Sequence, residues 1–515
     1  MYRLVTARQM KELDRYAVEE LGIPGVKLME NAGRGVVDWL EAELGSLRGK
    51  QVAVVCGPGN NGGDGFVACR YLADRGARPV CVLLGSVPGL RGDALVNARR
   101  LLDLGARILE VSAADQRLPF LEQSDVIIDA IFGTGLSRPA QGLFADAITA
   151  INRAGKYVVS IDVPSGIDAE TGEVHEPTVR ASLTVTMGLP KYGLVLFPAA
   201  ACTGKLRVAD IGIPAEVLAR GGDTFLVDRE YVRSVMPCRA KDGHKGTFGT
   251  VLLVCGSRGF SGAACLAGRA AVRSGCGLVR LAYPRSISDV VGSQVVEAVK
   301  VPLPETRRGT LAAEASSSIV RLAEEVQALA IGPGLTTSAA TRDAVLRVLR
   351  DVTCPLVIDA DAINVLAGQL GILARLKAPA VLTPHPGELG RLTGLEAGRI
   401  NAQRISLSRK LAKEWNVVLV LKGAPTVTAT PDGMVYVNST GNSGLGTGGT
   451  GDVLTGLLAG LLAQGVRPAD ASVAAAFLHG FAADLAVSEL TEYCLDATDL
   501  ISWLPRAFRA VLARQ

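Results

Sequence analysis

Three segments in the first half of the chain combine glycines with side chains that could do acid–base chemistry. The apolar run QVAVVC leads into Gly57–Gly65, which reads GPGNNGGDG, while Asp129 and Asp162 each end an apolar run and precede a glycine-containing turn. In open α/β sheets, ligands bind at the carboxyl ends of the strands. We therefore expect the three loops to converge on one crevice, where a sheltered carboxylate can give and take a proton. Either acid alone could instead cap the turn that follows it.

The first of these loops also fits a dinucleotide-binding pattern. Gly57, Gly59 and Gly62 satisfy G-x-G-x-x-G between a strand and a helix expected from Phe66. The following strand, Pro79–Leu84, ends in Gly-Ser without the acid that would hold a ribose. Support for ordinary NAD binding is therefore weak. A tight turn without a ligand is the alternative, but two Asn and one Asp exceed what such a turn needs.

A second glycine-rich loop, GTGGTGD, lies at 446–452 and precedes an apolar helix expected over Asp452–Gln464. The free N–H groups at such a helix start form an anion pocket, and Asp452 could take a proton from a substrate hydroxyl beside a phosphate. The alternative is that Asp452 merely caps the helix. No G-x-x-x-x-G-K-[ST] motif occurs, so this is not a P-loop kinase.

Further candidates in this half follow apolar runs. His385 stands between two prolines, and Lys422 is followed by glycine, so that it could approach a nucleotide phosphate. Asp359 and Asp361 offer carboxylates that could hold magnesium through water. The alternatives are a structural histidine and helix-capping acids.

Alternating strands and helices must position these residues. The expected strands of the first series are Gln51–Cys56, Pro79–Leu84, Val126–Ala130, Tyr157–Ile161, Leu183–Thr186 and Leu206–Ala209. Those of the second are Thr250–Val254, Gly277–Ala282, Ala328–Ile331, Leu356–Ile358, Ala380–Leu382, Val417–Leu421, Val427–Ala429 and Met434–Val437, the last two forming an antiparallel hairpin around Pro-Asp-Gly. This alternation predicts an α/β fold with parallel sheets wrapped by helices.

Composition supports two ordinary globular domains. Of the 515 residues, 48% are hydrophobic and 20% charged, which excludes a disordered chain. The net charge of +4 demands neither nucleic acid nor a membrane partner. Ten cysteines without a CxxC favour neither zinc nor a disulfide scaffold, and the start lacks a signal peptide, so we expect a cytoplasmic protein. The predicted domains are 1–222 and 228–515, with a glycine-rich break between them.

GPGNNGGDG, DAIFGTG and SIDVPSGID, in that order, resemble the epimerase domain of the NAD(P)H-hydrate repair enzymes, the YjeF N-terminal family. The resemblance covers 1–222 and implies a Rossmann-like, doubly wound domain that interconverts the R and S epimers of NADHX and NADPHX. It implies Asp162 as the catalytic acid/base and a potassium ion held by Asn61, Asp129 and Ser165; carboxylate, amide and hydroxyl oxygens suit a hard cation. The implied hydrate contacts are Asn60, Asn61, Gly62, Gly63, Asp64, Gly133, Thr134, Gly135, Leu136, Ser137, Arg138 and Pro139.

KGTFG, GSRGFSGA, GPGL, DADAIN, TPHPGE, KGAPT and GTGGTGD resemble the family's other domain, a ribokinase-like α/β domain, over about 240–510. It implies dehydration of the S hydrate with ADP or ATP and magnesium, giving AMP or ADP and phosphate. In that mechanism catalytic Asp452 activates the hydroxyl, phosphate is transferred, and its elimination restores the nicotinamide double bond. The implied hydrate contacts are Ala263, Gly334, His385 and Asp452, and the implied nucleotide contacts are Lys422, Gly423, Ala424, Pro425, Thr426 and Gly451.

Two other functions compete with a bifunctional repair enzyme. A small-molecule kinase of the hydroxymethylpyrimidine or hydroxyethylthiazole type shares the second glycine loop and its Asp, but leaves the first half unexplained. A non-enzymatic binding or scaffold module is the other, against which the intact NNGGDG, Asp129 and Asp162 argue. We expect small-molecule substrates, no nucleic-acid or membrane partner, and a homo-oligomer, with a tetramer favoured.

Overall fold

A computed structural model describes residues 1–112, 118–136 and 138–513. Apart from Met1, which groups with the second unit, the chain divides into two compact units, Tyr2–Asp223 and Thr224–Gln515. Each unit is described by itself below.

The first unit is built on a parallel sheet with strand order β4-β3-β2-β5-β6-β7-β8. Its strands are β1 (Tyr2–Arg3), β2 (Gln51–Cys56), β3 (Arg78–Leu84), β4 (Ile108–Val111), β5 (Val126–Ala130), β6 (Tyr157–Ile161), β7 (Leu183–Met187) and β8 (Lys205–Ala209). Its helices are α1 (Ala7–Glu19), α2 (Gly25–Leu44), α3 (Asn60–Asp74), α4 (Gly92–Asp103), α5 (Phe120–Gln123), α6 (Leu143–Arg153), α7 (Ala200–Thr203) and α8 (Ala215–Leu218).

Both faces of this sheet are buried, which explains why its strands are continuous apolar runs. Side chains of β2 alternate between the faces: Val52 and Val54 pack in one core cluster, Ala53 and Val55 in another. The doubly wound, Rossmann-like class expected from the sequence is confirmed. Its polar loops therefore collect at one edge, the carboxyl ends of the strands.

Helix α3 begins at Asn60, not at Phe66 as expected, so NNGGDG forms its first turns rather than a loop. The glycines there permit close packing. A Cβ on Gly62 would lie 1.9 Å from the Gly57 carbonyl oxygen, and one on Gly65 would lie 2.7 Å from Sγ of Cys56. These glycines therefore bring the start of α3 against the end of β2.

The second unit has a mixed sheet with strand order β9-β18-β17-β16-β15-β14-β13-β10-β11-β12, antiparallel only at β16–β17 and β17–β18. Its strands are β9 (Thr224–Leu226), β10 (Thr250–Val254), β11 (Leu278–Pro284), β12 (Val299–Leu303), β13 (Ala328–Ile331), β14 (Leu356–Ile358), β15 (Ala380–Leu382), β16 (Val418–Leu421), β17 (Val427–Ala429) and β18 (Val435–Val437). Its helices are α9 (Arg229–Val235), α10 (Ser261–Arg273), α11 (Ser288–Gln294), α12 (Ala315–Ala323), α13 (Ala339–Asp351), α14 (Ala360–Val365), α15 (Pro386–Thr393), α16 (Ala397–Ala402), α17 (Arg404–Trp415), α18 (Thr450–Ala463), α19 (Pro468–Ala486) and α20 (Ala497–Leu512).

Helices α18 and α19 are apolar on nearly all sides because they are buried within the unit. Helix α18 begins at Thr450, two residues before the expected start, because Gly449 adopts a positive φ of 93° and supplies the turn into it. Asp452 thus lies inside the first turn. No helix in the described ranges is both long and apolar enough to cross a bilayer.

Most expected strands are present within a residue or two, and the antiparallel hairpin is confirmed. Four strands were not expected: β1, β4, β9 and β12. They are short or partly exposed, and β12 contains Pro302, so their sequences lack the continuous apolar run of a buried strand. Strand β9 falls in the segment that the sequence leaves between its two predicted domains.

Candidate active sites

The three loops of the first unit meet at Gly133. A Cβ added to this residue would lie 3.3 Å from Oδ1 of Asn61 and 3.4 Å from Oδ2 of Asp162. The start of α3, the loop after β5 and the end of β6 therefore line one crevice. Asn61 is only 8% exposed, and its Nδ2 has no hydrogen-bond partner among the described residues.

Asp129, at the end of β5, is fully buried and surrounded by donors. Its Oδ1 accepts from Oγ of Ser165 at 2.6 Å and from the Ile131 N–H at 3.2 Å. Its Oδ2 accepts from Oγ of Ser160 and from the Ser165 N–H, both at 2.9 Å. Burial raises the pKa of Asp129 above its ordinary value, although these hydrogen bonds oppose the shift. All the partners are neutral, so the carboxylate lacks a counter-charge in this arrangement.

Asp162 follows β6 with a positive φ of 65°, a conformation that a non-glycine residue adopts at a cost. Oδ1 accepts from Nζ of Lys191 at 2.5 Å, from Oγ1 of Thr186 at 3.0 Å and from the Met187 N–H at 3.2 Å. Oδ2 faces Gly133. The side chain therefore does not cap its own turn: one oxygen is held by the end of β7, and the other is directed into the crevice.

Two more carboxyl groups belong to the electrostatics of this site. Asp64 in α3 has its pKa raised well above the ordinary value by burial, and Asp162 and Asp14 add to the shift. Burial likewise raises the pKa of Asp14 in α1 to about 6, while Lys191 opposes this shift. Oδ1 of Asp14 is buried without a hydrogen-bond partner among the described residues. Lys191 thus bonds Asp162 and opposes the rise in the pKa of both Asp64 and Asp14.

The remaining expected hydrate contacts lie on the outer side of the crevice. Asn60 is exposed at the start of α3, and Gly133 and Thr134 are half-buried. Gly135, Arg138 and Pro139 are exposed, and Ser137 lies outside the described residues. The structure gives Thr134–Leu136 and Arg138–Pro139 no hydrogen bond to Asp129 or Asp162 within its described ranges. These residues therefore do not hold the carboxylates, and their contact with a hydrate stays a prediction.

The second unit centres on Asp359, which is 1% exposed at the end of β14. Oδ1 accepts from Nζ of Lys422 at 2.8 Å and from Oγ1 of Thr383 at 2.7 Å, and Oδ2 accepts from Oγ1 of Thr455 at 2.7 Å. Burial would raise the pKa of Asp359, but Lys422 and the hydroxyl donors outweigh burial and hold the pKa below its ordinary value. Asp359 therefore joins strand ends β14, β15 and β16 to helix α18 rather than capping α14.

Asp452 occupies the third position of α18, and its side chain makes no hydrogen bond within the described ranges. Burial raises its pKa to about 7, the negative charge of Asp359 adds to the shift, and Lys422 opposes it. A carboxyl with a pKa near neutrality can both take up and release a proton under working conditions. Asp452 therefore does not cap α18, because it lies inside the first turn and the N-cap residue is Gly449.

His385 does cap a helix. Nδ1 of its ring accepts from the Gly387 N–H at 3.0 Å and the Glu388 N–H at 3.4 Å, and the Glu388 side chain returns a bond to the His385 N–H at 2.8 Å. One ring nitrogen, Nδ1, therefore has the structural role that the sequence left open as an alternative. Nε2 lies 3.5 Å from Oε1 of Glu388, and the side chain remains 51% exposed, so part of the ring stays accessible.

Two pairs of expected ligand contacts lie next to each other. A Cβ on Gly334 would lie 2.9 Å from Cβ of Ala263, so these two hydrate candidates share one wall. A Cβ on Gly451 would lie 3.6 Å from Nζ of Lys422, which brings two nucleotide candidates together. Lys422 is already paired with Asp359 and lies 3.8 Å from Glu388. Gly423 and Ala424 are exposed, whereas Pro425 and Thr426 are half-buried.

Several residues of these sites were not expected from the sequence. Lys191, in LPKYG, follows the end of a predicted strand, as Lys422 does in LKGA. The same pattern could therefore have identified it. Asp14 gave no such signal, because it is one of several charges along an amphipathic helix. Thr383 and Thr455 resemble ordinary core hydroxyls until the fold brings them to Asp359.

No group of three or more His, Cys, Asp or Glu residues with metal-binding geometry occurs in the described ranges. A cation at either site would therefore depend on amide, hydroxyl or backbone oxygens, on water or on a bound ligand.

Two α/β units, each with polar and glycine-rich loops at the carboxyl ends of a parallel sheet, define a two-site enzyme. The family described as YjeF-related protein N-terminus matches residues 25–193, and that described as NAD(P)H-hydrate dehydratase matches residues 251–506. The bifunctional NAD(P)H-hydrate repair enzyme Nnr of Moorella thermoacetica is 44% identical over 98% of this chain and 96% of its own length. The enzyme of the same name from Thermofilum pendens is 38% identical over 99% and 97%.

The chain therefore belongs to the family of bifunctional NAD(P)H-hydrate repair enzymes. Among solved structures, the ADP/ATP-dependent NAD(P)H-hydrate dehydratase of Bacillus subtilis, co-crystallised with ATP/Mg2+, is 36% identical. That match covers 55% of this chain and 97% of the other, with a TM-score of 0.49.

Proposed function

We propose that the first unit interconverts the R and S epimers of hydrated NADH and NADPH, and that the second dehydrates the S epimer with ADP or ATP. The observation that carries this proposal is Asp452, a carboxyl with a pKa of about 7 in the first turn behind the glycine loop. The boundaries proposed for the two catalytic domains are 1–222 and 228–515. Together the two units would return both epimers to the reduced nucleotide.

In the first unit, Asp162 moves the proton that inversion requires. Inversion breaks and remakes a bond at the hydrated carbon, so a proton must leave the substrate and return to it. Oδ2 is the atom directed at the crevice, while Lys191, Thr186 and the Met187 N–H hold Oδ1 in place. The Lys191 ammonium keeps Oδ1 occupied, so Oδ2 is the oxygen that takes up the proton and gives it back.

Asn61, Asp129 and Ser165 would hold a potassium ion beside this crevice. Two observations fit a cation there: the buried Asp129 carboxylate has only neutral partners, and the amide oxygen of buried Asn61 is directed at the crevice near Gly133. When bound, the ion would supply positive charge that favours an oxygen-rich substrate. The chain's own contribution is the fixed placement of one carboxylate, one amide and one hydroxyl.

In the second unit, Asp452 takes the proton of the substrate hydroxyl as its oxygen attacks the terminal phosphoryl group of the nucleotide, releasing AMP or ADP. The carbon–oxygen bond then breaks, phosphate leaves, and loss of the neighbouring ring proton restores the double bond. The N–H groups at the start of α18 and the Lys422 ammonium face the developing negative charge. Ala263, Gly334 and the open side of His385 would contact the hydrate.

Magnesium would enter this site with the nucleotide. Asp359 and Asp361 lie at the carboxyl end of β14, but Asp359 is committed to Lys422 and two hydroxyls, and Asp361 accepts from the Thr336 N–H at 2.8 Å. Their carboxylates are therefore better placed to hold water on the ion than to enclose it. When bound, the ion would offset phosphate charge during transfer.

Paired variants test the assignment of one activity to each unit. With mixed epimers, potassium, magnesium and ADP, Asp162→Asn should consume the S portion and then slow to spontaneous epimerisation. Asp452→Ala should lose dehydration by about 10²–10⁴-fold while epimerisation continues. Asp168→Asn is the control, since the Asp168 side chain accepts from the N–H groups of Glu170 and Thr171 in its own loop. The proposal fails if Asp452→Ala dehydrates at the wild-type rate.

We further propose that the protein acts in the cytoplasm, where these nucleotides are used, as a homo-oligomer with a tetramer favoured. Light scattering after gel filtration tests the assembly: a single species of monomeric mass would contradict it.

A further inference from the structure

Arg404, the first residue of α17, carries a buried charge that no acid balances. Its side chain is 3% exposed. Nη1 donates to the Pro425 carbonyl and Nη2 to Oδ1 of Asn401, both at 2.6 Å. Both partners are neutral, and within the described ranges no carboxylate lies within 4.0 Å of the guanidinium. Burial lowers the pKa of Arg404 to about 10, and no charged neighbour contributes to the shift.

This guanidinium lies directly behind the loop expected to contact the nucleotide. A Cβ on Gly423 would lie 2.7 Å from Nη2 and 3.2 Å from Nη1 of Arg404. Gly423 also has a φ of 134°, which favours glycine. The loop Lys422–Thr426 therefore has Arg404 packed against its backbone at Gly423 and bonded to its carbonyl at Pro425.

The other cations nearby differ from Arg404. Lys422 is paired with Asp359 and faces Glu388, so its charge is already balanced. Arg409 lies on the same helix and also donates to a backbone carbonyl, that of Gly433 in the β17–β18 hairpin, but it is only half-buried. Arg404 combines burial, an unbalanced charge and contact with the candidate nucleotide loop.

A buried charge without a counter-ion is unfavourable, and an anion bound close by relieves that cost. We propose that Arg404 is a positioning residue for the nucleotide: it fixes the loop Lys422–Thr426 and supplies the positive charge that the phosphates of a nucleoside diphosphate or triphosphate complement. This inference rests on the proposed use of ADP or ATP by the second unit. Arg404 acts through the loop, and the loop touches the nucleotide.

Charge and hydrogen bonding can be separated by two substitutions in the full-length protein. Arg404→Gln keeps an N–H donor for the Pro425 carbonyl but removes the charge, whereas Arg404→Lys keeps the charge. Arg409→Gln is the matched control on the same helix. Binding of ADP with magnesium is measured by calorimetry and by the ADP-induced rise in Tm, and KM is determined separately for ADP and for the S hydrate.

We expect Arg404→Gln to weaken ADP binding and raise its KM by about tenfold or more, with a smaller ADP-induced rise in Tm and little change in the KM for the hydrate. Arg404→Lys should recover most of the affinity, and Arg409→Gln should match wild type. The inference is overturned if Arg404→Gln binds ADP as wild type does, if Arg404→Lys loses as much as Arg404→Gln, or if the KM for both substrates changes equally. Failure of the wild-type protein to bind ADP or ATP would instead refute the proposed function, and this inference with it.

Discussion

The pH dependence of dehydration follows from the environment of Asp452. A carboxyl with a pKa of about 7 is about one-tenth ionised at pH 6 and about nine-tenths ionised at pH 8. Because the ionised form is the base, kcat/KM for the S hydrate should rise about tenfold between these pH values. An ordinary aspartate would be ionised throughout and would give a flat profile. The assay follows NADH formation from pure S hydrate at saturating ADP and magnesium.

Asp359→Asn should move the rising limb to lower pH. The negative charge of Asp359 is the largest contribution from a charged neighbour to the raised pKa of Asp452, so its removal makes Asp452 easier to ionise. The variant also removes the carboxylate that balances Lys422, which acts in the same direction. Asp496→Asn, which alters only the cap of α20, is the control. A limb that stays in place in Asp359→Asn, or a flat wild-type profile, would refute Asp452 as the titrating base.

Three further predictions concern stability and domain structure. Gly62→Ala should destabilise the protein by about 1–3 kcal/mol in chemical unfolding, because its Cβ would lie 1.9 Å from the Gly57 carbonyl oxygen; wild-type stability would contradict the packing. Asp452→Asn should raise the free energy of unfolding at pH 8 by at least about 1 kcal/mol: a folded-state pKa raised to about 7 makes stability fall as pH rises from about 4 to about 7. The gain should vanish near pH 4. A fragment ending at Asp223 should unfold cooperatively on heating, and a broad, non-cooperative melt would contradict an independent first unit.

Buried strands could be predicted from the sequence because a strand that is buried on both faces is a nearly continuous apolar run. Val126–Ala130 and Ala328–Ile331 are buried on both faces and apolar except for Asp129, and the structure gives them the expected bounds. β12 could not be predicted in this way, because it is partly exposed and Lys300 and Pro302 interrupt its apolar residues. The start of α3 was misplaced for a different reason. Glycines normally disfavour a helix, but here they are needed for its contact with β2.

Candidate site residues could be predicted where a clear pattern precedes them. Asp129 and Asp162 end apolar strand patterns, and Asp452 ends a glycine-rich loop. The sequence could not show which side chains contact these residues in the fold. The ammonium of Lys191 and the hydroxyl of Thr455 are contributed by segments distant in sequence, and the unbalanced charge of Arg404 becomes evident only once its partners are known. The bonds from Lys422 and the two hydroxyls hold the pKa of Asp359 low, whereas burial raises the pKa of Asp452.

The most direct test of two cooperating activities is the fate of a mixture of R and S hydrates with the wild-type protein. The reaction contains potassium, magnesium and ADP, and both NADH absorbance and released phosphate are measured. We predict complete conversion of both epimers in one continuous phase, with one phosphate released per NADH formed. A stable phosphate ester in place of NADH, or conversion that stops when the S epimer is used up, would contradict this account.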